Sequence, residues 1–193
     1  MNLSPSPLGG GESAGCPLPY DIEVQLHESL APEDAAVLDI PSIEAIVVRV
    51  LTEEFVSDET ALTVLFAADA FLRSLNLDHR GVDEPTDVLS FTAHAEDEDD
   101  EAASAGAFPG NFPDSMEEPR YLGDIAVSVP TALRQAAAVN LEPSEEIAHL
   151  VVHGLLHILG WDHEEPTEDD RMRAREESVL GSRIHAGQGH VLH

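Results

Sequence analysis

Two periodicities of apolar residues divide the chain into strands and helices. Short runs that alternate with polar residues, or that are continuously apolar between turn residues, predict strands at residues 21–27, 61–67, 86–91 and 122–129. Apolar residues on one face predict a helix at residues 42–55, and further helices are predicted at residues 69–80, 131–139, 144–159 and 168–180. Residues 131–139 are alanine-rich and follow Pro130, and residues 168–180 are highly charged. Ser144 is predicted as the N-cap of the fourth of these helices, and Gly160 as its stop.

Three segments lack such periodicity. Residues 1–18 are rich in Gly, Pro and Ser and predict a disordered leader, and residues 185–193 predict a flexible tail. Residues 93–120 contain the acidic run EDEDDE and predict a solvated acidic loop insertion, with a regulatory or partner-binding role as the alternative. The predicted folded domain therefore spans residues 19–184.

Composition and charge narrow the class of protein. A chain of 193 residues with 42% hydrophobic residues is long enough for one domain with a core. The nine cations are all arginine and face 38 acidic residues, so the net charge of −29 excludes a broad electrostatic grip on nucleic acid. Adaptation to high salt and biased codon usage both explain this acidity.

The apolar stretches and the cysteine content argue against a membrane span and against an internal disulfide. No secretory signal opens the chain, and its longest apolar stretch, residues 147–159, is shorter than the roughly 20 residues that cross a bilayer. A cytoplasmic protein without membrane contact is therefore expected. The single cysteine, Cys16, excludes an internal disulfide and a cysteine-based zinc cage.

The chemistry of the chain is concentrated in the run HGLLHILGWDH. His153 and His157 are four residues apart on a predicted helix and so point to the same side. Gly160 allows a sharp turn that brings His163 back as a third nitrogen ligand. Three protein ligands leave a fourth position for water, which is the layout of a catalytic zinc site. Three imidazoles also accept nickel, copper or iron, and the alternative is that these histidines only pack or form hydrogen bonds.

Neighbouring residues extend this site. His149 lies one turn earlier on the same stripe, and we interpret it as a packed or hydrogen-bonded histidine outside the ligand set, with ligation as the alternative. Asp162 either orients a ligand histidine or completes the turn.

The same spacing occurs in the metzincin proteases, whose HExxHxxGxxH run supplies a glutamate base. Gly154 occupies that position here, and glycine cannot accept a proton from water. A peptidase mechanism is therefore disfavoured unless a carboxylate reaches the metal position from elsewhere in the fold.

Three blocks of the sequence resemble one family. HGLLHILGWDH at residues 153–163 resembles the signature of the YbeY endoribonucleases, which are bacterial-type rRNA maturation factors. LNLDHRGVDEPTDVLSF at residues 75–91 and YLGDIAVSV at residues 121–129 resemble two further blocks of that family in the same order. Trp161 stands where the family usually has tyrosine, and the loop at residues 93–120 is longer than expected.

The resemblance implies a fold and a function. The fold is α+β, a single domain with a small mixed sheet of about four strands packed with helices, and a metal site at the end of a central helix. The function is metal-dependent cleavage of single-stranded RNA in maturation of the 3′ end of small-subunit (16S) rRNA and in ribosome quality control. The implied cofactor is one Zn²⁺, and the implied partners are precursor rRNA, the small ribosomal subunit and its assembly factors, with no DNA.

The resemblance also implies roles for residues. His153, His157 and His163 match the metal ligands of the family, and Arg80 matches an arginine that the family needs for activity. A guanidinium can bind a phosphate through two hydrogen bonds and stabilise charge that develops in phosphoryl transfer.

Two alternative functions stay open, and the acidity of the chain conflicts with RNA binding. The chain can instead be a non-catalytic ribosome-assembly factor with a structural zinc, or a metzincin-like zinc hydrolase. The acidity requires the few cations, Arg80 and Arg134 above all, to form a local funnel for RNA. Arg171, Arg173 and Arg175 either join that funnel or form ion pairs on the surface of their own helix.

Overall fold

The computed structural model describes residues 19–93, 120–161, 166–181 and 184, apart from the side chain of residue 166. The strands are β1 Asp21–Leu26, β2 Thr60–Ala67, β3 Val88–Thr92 and β4 Arg120–Ser128. The helices are α1 Pro32–Ala35, α2 Ile40–Glu53, α3 Asp69–Arg80, α4 Val129–Val139, α5 Pro143–Ile158 and α6 Pro166–Leu180. The predicted leader, tail and the interior of the acidic loop lie outside the described residues, as do Asp162 and His163.

The four strands form one mixed sheet in the order β1-β2-β4-β3. β1 and β4 both run parallel to β2, whereas β3 pairs antiparallel with β4 at one edge, where Leu89 lies opposite Ala126. The parallel neighbours follow from the helices that connect them, because a chain must cross over before it can pair in parallel. The predicted α+β class and mixed four-stranded sheet are confirmed.

Alternation along the strands separates two apolar clusters. On one face, Ile125 and Val127 of β4 pack with α2, α4, α5 and α6 in the main core. On the other face, Leu89 and Ala126 pack with Phe71 and Leu72 of α3. The sheet therefore lies between α3 and the remaining long helices, and this separation matters for the site.

The central helix of the main core is α5. Ten of its residues are buried, and it contacts α2, α4, α6, β3 and β4. At Gly154 the helix lies so close to the sheet that an added Cβ would stand 2.9 Å from Cγ2 of Ile125 and 3.2 Å from Cγ2 of Val88. The absence of a side chain thus lets α5 approach the sheet directly beside two of its histidines.

The start of α5 corrects one prediction. Ser144 is not the N-cap: the helix begins at Pro143 with Glu142 as N-cap. The fixed φ of proline suits the first helical position, and the side chain of Glu145 accepts a hydrogen bond from the backbone N–H of Glu142 at 3.1 Å. Ser144 therefore lies inside the first turn. The predicted stop is confirmed, because α5 ends just before Gly160, whose φ is +88°.

Other element boundaries shift by a few residues. The short helix α1 was not predicted, and α2 begins at Ile40, where Asp39 accepts hydrogen bonds from Ser42. β3 begins at Val88 instead of Thr86, and the side chain of Asp87 accepts a hydrogen bond from the backbone N–H of Val88 at 2.8 Å. No helix in the described part of the chain is long and apolar enough to cross a membrane.

Candidate metal centre

His153 and His157 form a converging pair on α5, as their four-residue spacing predicts. Their Nε2 atoms lie 3.2 Å apart and their rings meet edge to face at 83°. Two nitrogens bound to one tetrahedral zinc at 2.0–2.1 Å are about 3.3 Å apart, so the pair already has the spacing of two ligands of a single ion. The side chain of His153 is 26% exposed, which leaves the pair open to solvent on one side. The donor set and its geometry therefore fit a zinc-type ion. We call these two histidines the outer pair.

Glu176 of α6 fixes the orientation of His153. Its Oε1 lies 2.8 Å from Nδ1 of His153, on the edge of the ring opposite to the Nε2 that faces His157. A carboxylate that accepts from Nδ1–H leaves the Nε2 lone pair available as a ligand, which is the usual partnership of metal-binding histidines.

Glu176 was not predicted from the sequence. It lies in a highly charged helix and resembles a solvated residue, yet it is 2% exposed and follows Met172 and precedes Val179 on one buried face. The sequence did contain a signal for its burial, because Glu176 occupies a position of the helical repeat at which an apolar residue is expected.

Two further polar residues lie beneath the outer pair. His149 is 8% exposed, with its ring nitrogens 3.8 Å from a carboxylate oxygen of Glu146 and 3.6 Å from one of Glu176. Burial alone would lower the pKa of His149, but the two carboxylates outweigh that effect and raise its pKa to about 9. The two carboxylates therefore favour the protonated form of His149. We call Glu146, His149 and Glu176 the inner cluster.

A second donor set overlaps with the outer pair. This set consists of His149, His153 and Glu176. Each of them has a ligand atom within 4.8 Å of a ligand atom of the other two, so these three residues could also hold a metal ion. His153 belongs to both sets: its Nε2 lies beside His157, and its Nδ1 lies beside Glu176. The 3.2 Å spacing of the two Nε2 atoms favours the outer pair as the site of the ion. His163 lies outside the described residues, so the complete ligand set stays a prediction.

Gly154 bears on the peptidase alternative. A glutamate at this position would have to extend from a Cβ that already meets the side chain of Ile125. Among the described residues, the carboxylate nearest to His153 is that of Glu176, and it contacts Nδ1, on the side of the ring away from His157. Neither position 154 nor Glu176 therefore supplies the base of a metzincin.

Comparison with known proteins assigns the family. The family model for Endoribonuclease YbeY matches residues 33–183. The chain belongs to the endoribonuclease YbeY family. The protein named Endoribonuclease YbeY from Roseiflexus castenholzii is 41% identical over 84% of this chain and 94% of its own length. The one from Rhodospirillum rubrum is 32% identical over 93% of this chain and 87% of its own length.

A solved structure agrees with the fold. The solution structure of a protein from Thermotoga maritima matches 85% of this chain and 89% of its own, with a TM-score of 0.51 and 21% identity. At this identity the likeness shows the fold alone. The YbeY family assignment rests on the sequence match.

Arg80 forms no hydrogen bond with His149, His153 or His157, the site histidines that the structure describes. It is the last residue of α3, on the opposite face of the sheet from α5. The ring of its neighbour His79 contacts that of Phe91 at a tilt near the end of β3, whereas Gly154 of α5 lies against Val88 at the start of that strand. Both helices thus contact the edge strand β3, about 10 Å apart along it. The role of Arg80 stays a prediction.

The YbeY-like block around Arg80 is held by structural contacts. Asn76, which is 6% exposed, donates a hydrogen bond to the carbonyl of Glu84, and Arg73 forms a two-bond ion pair with Asp83. Gly81 closes α3 at a φ of +70°, a conformation that favours glycine. These contacts hold the loop after α3, while the guanidinium of Arg80 forms no ion pair within the described part of the chain.

Most other described arginines are engaged with carboxylates. Arg134 pairs with Asp69 at 2.8 Å, Arg173 with Asp169 at 3.2 Å, and Arg175 with Glu54 at 2.6 Å. The ion pairs expected for the α6 run are therefore present for Arg173 and Arg175, although Arg175 pairs with α2 instead of its own helix. Among the arginines of the described ranges, Arg80, Arg120 and Arg171 form no ion pair.

Proposed function

We propose that this chain, an RNA-cleaving hydrolase by family membership, cleaves single-stranded RNA with a divalent metal ion held by His153, His157 and His163. The observation that carries the proposal is the outer pair: two Nε2 atoms 3.2 Å apart, one of them backed by a buried carboxylate. When bound, a zinc-type ion supplies Lewis acidity that polarises a phosphoryl oxygen or lowers the pKa of water. The chain's own part is to orient the ligand rings and to leave one side open to the substrate.

Arg80 is proposed to bind the phosphate backbone of that substrate. It is exposed and forms no ion pair with the described residues, although the chain carries a net charge of −29. A cation without a carboxylate partner is available for phosphate, and a guanidinium binds phosphate through two hydrogen bonds. Because α3 and α5 both contact β3, an RNA strand that follows this edge of the sheet meets the arginine and the metal in turn.

The proposed substrate is precursor rRNA at the 3′ end of the small-subunit (16S) RNA, with a further role in ribosome quality control. This assignment comes from the family and makes the small ribosomal subunit and its assembly factors the partners, in the cytoplasm. The acidity of the chain supports a narrow substrate, because general attraction to nucleic acid is absent and only a few local cations bind phosphate.

The test is a cleavage assay with zinc-loaded protein. Its substrates are a single-stranded RNA from the 3′ region of precursor small-subunit rRNA, the same RNA as a duplex, and the same sequence as DNA. We expect cleavage of the single-stranded RNA alone, abolished by a chelator and restored by zinc. Arg80→Ala should lower the rate by about 100-fold, as the loss of one charge-stabilising donor does elsewhere.

Two variants control this assay. His157→Ala should reduce cleavage to the level of buffer, and Arg120→Ala, which removes another arginine without an ion pair in the described ranges, should cleave at the wild-type rate. Equal residual cleavage by wild type and His157→Ala would contradict the proposal. Zinc binding and support of ribosome assembly without any cleavage would favour the non-catalytic assembly factor instead.

A further inference from the structure

The inner cluster places three ionisable side chains under the outer pair, in a part of the protein that is otherwise apolar. Glu146 and Glu176 are each 2% exposed, and His149 lies between them. Buried carboxylates are costly unless they are paired, so their presence here needs a reason. A ring nitrogen of His149 lies within 4 Å of an oxygen of each carboxylate. Glu176 also lies at hydrogen-bond distance from His153.

Glu176 is the residue that connects the inner cluster to the outer pair. Its Oε1 lies 2.8 Å from Nδ1 of His153, and its Oε2 lies 3.6 Å from Nε2 of His149. Oε1 is at hydrogen-bond distance and Oε2 is at ion-pair distance, so rotation of the carboxylate would lengthen both contacts. The two imidazoles thus orient the carboxylate, which accepts the hydrogen bond from His153.

We propose that Glu176 is a positioning residue that holds His153 with Nδ1 protonated and Nε2 directed at the ion, and that His149 and Glu146 keep Glu176 in place. A carboxylate only accepts hydrogen bonds, so it selects the Nδ1–H tautomer of its histidine partner. That tautomer places the lone pair on Nε2, 3.2 Å from Nε2 of His157. The inference rests on the proposed function only in taking His153 as a metal ligand.

This assignment differs from one in which Glu176 is itself a ligand. An ion on Glu176 and His149 would use Nδ1 of His153 and displace the hydrogen bond that is present at 2.8 Å. It would also leave His157 out of the site. The nitrogen through which His153 binds the ion therefore separates the two possibilities.

The first measurement is the tautomer of His153 in the metal-free wild-type protein, read from ¹⁵N–¹H NMR correlations of its ring. We expect protonation at Nδ1 and a lone pair at Nε2. Glu176→Gln, whose amide can donate as well as accept, should produce a mixture of tautomers. Protonation at Nε2 in the wild type, or a tautomer that Glu176→Gln leaves unchanged, would overturn the inference. The wild-type result needs no variant and holds even if Glu176→Gln fails to fold.

The second measurement is zinc affinity by competition with a chromophoric chelator. Glu176→Gln should bind zinc about 10- to 100-fold more weakly than the wild type, the usual effect of losing the partner of a ligand histidine. Glu177→Gln is the matched control, because it makes the same change one residue later on α6 at a partly exposed position, and it should bind zinc as the wild type does. Equal affinities of wild type and Glu176→Gln, or zinc bound through Nδ1 of His153, would overturn the inference.

Failure of the proposed function gives a different result. A wild-type protein that binds zinc with the expected dependence on Glu176 but does not cleave RNA contradicts the nuclease proposal and leaves the role of Glu176 intact. A protein that cleaves RNA with zinc, and whose zinc affinity does not depend on Glu176, contradicts only the inference drawn here.

Discussion

His149 and His153 are the same residue type one turn apart on α5, yet their surroundings give them opposite chemistry. His149 is buried between Glu146 and Glu176, which raise its pKa to about 9 and favour its protonated form. His153 is partly exposed, contacts only one of those carboxylates, and directs its second nitrogen at His157. A histidine stripe on a helix is therefore not one site. Its inner part carries charge, and its outer part offers lone pairs.

The close approach of α5 to the sheet determines where the outer pair lies. Gly154 brings the helix against Ile125 and Val88, so that the outer pair is held on a rigid element next to the edge strand. Rigid support of this kind is what fixes ligands in productive geometry.

The largest expected effect comes from removing one histidine of the outer pair. His157→Ala deletes a proposed zinc ligand without touching the inner cluster, so zinc affinity should fall by more than about 100-fold, beyond the usual effect of changes outside the ligand shell. Competition with a chelator measures this, and thermal unfolding of the metal-free protein checks that the fold persists. If His157→Ala bound zinc as tightly as the wild type, the outer pair would not be the zinc site.

The next effect comes from forcing a peptidase-like carboxylate into the stripe. Gly154→Glu places a charged side chain where a Cβ alone would stand 2.9 Å from Ile125, so the free energy of unfolding should fall by at least about 3 kcal/mol. Gly154→Ala is the smaller matched change and should cost about 1–3 kcal/mol by overpacking. Urea denaturation of the metal-free variants measures both. An alanine variant that gains the roughly 1 kcal/mol expected from helix propensity alone would contradict the close approach.

The inner cluster predicts a dependence of stability on pH. The pKa of His149 rises from 6.5 to about 9 on folding, so its stabilisation is complete below pH 6.5 and is lost as the pH rises through 9. At about 1.4 kcal/mol per pKa unit, the loss amounts to at most about 3 kcal/mol. Denaturation of the metal-free protein between pH 6 and 10 measures it.

A variant sharpens this pH prediction. Glu146→Gln removes one of the two carboxylates that hold the charge on His149, so the loss of stability should move to lower pH. An NMR titration of the His149 ring gives the same midpoint independently. Stability that does not change from pH 6.5 to pH 9 would show that His149 is not held as a cation.

The smallest expected effect contrasts a partly exposed ion pair with the buried ones. Arg173 pairs with Asp169 along α6, and pairs near the surface contribute about 0–1 kcal/mol. Arg173→Ala should therefore change the free energy of unfolding by less than about 1 kcal/mol and leave cleavage of single-stranded RNA unchanged. A large loss of RNA affinity would instead place Arg173 among the cations that bind the substrate.

The sequence predicted the parts of the molecule that depend on local periodicity. All four strands and the five long helices follow from apolar spacing, and the outer pair follows from the geometry of residues four apart on a helix. The order of the strands could not be predicted in this way, because pairing of β2 with β4 depends on contacts between segments about 60 residues apart in the sequence. Ser144 was misjudged because its side chain suits a cap, whereas Pro143 decides where the helix begins.

The part of the site that could not be predicted is the part built across elements. Glu176 reaches His153 from another helix, and its role appears only once α6 packs beside α5. The charge of His149 likewise depends on two carboxylates converging on a buried ring, one from each helix. The motif thus predicted the residues of the outer pair, but not what holds them.

A crystal structure of the zinc-loaded protein tests the claim that the outer pair binds the ion. We predict one ion bound at 2.0–2.1 Å by Nε2 of both His153 and His157, with Nδ1 of His153 still hydrogen-bonded to Glu176. An ion bound instead by His149, Nδ1 of His153 and Glu176 would contradict the claim.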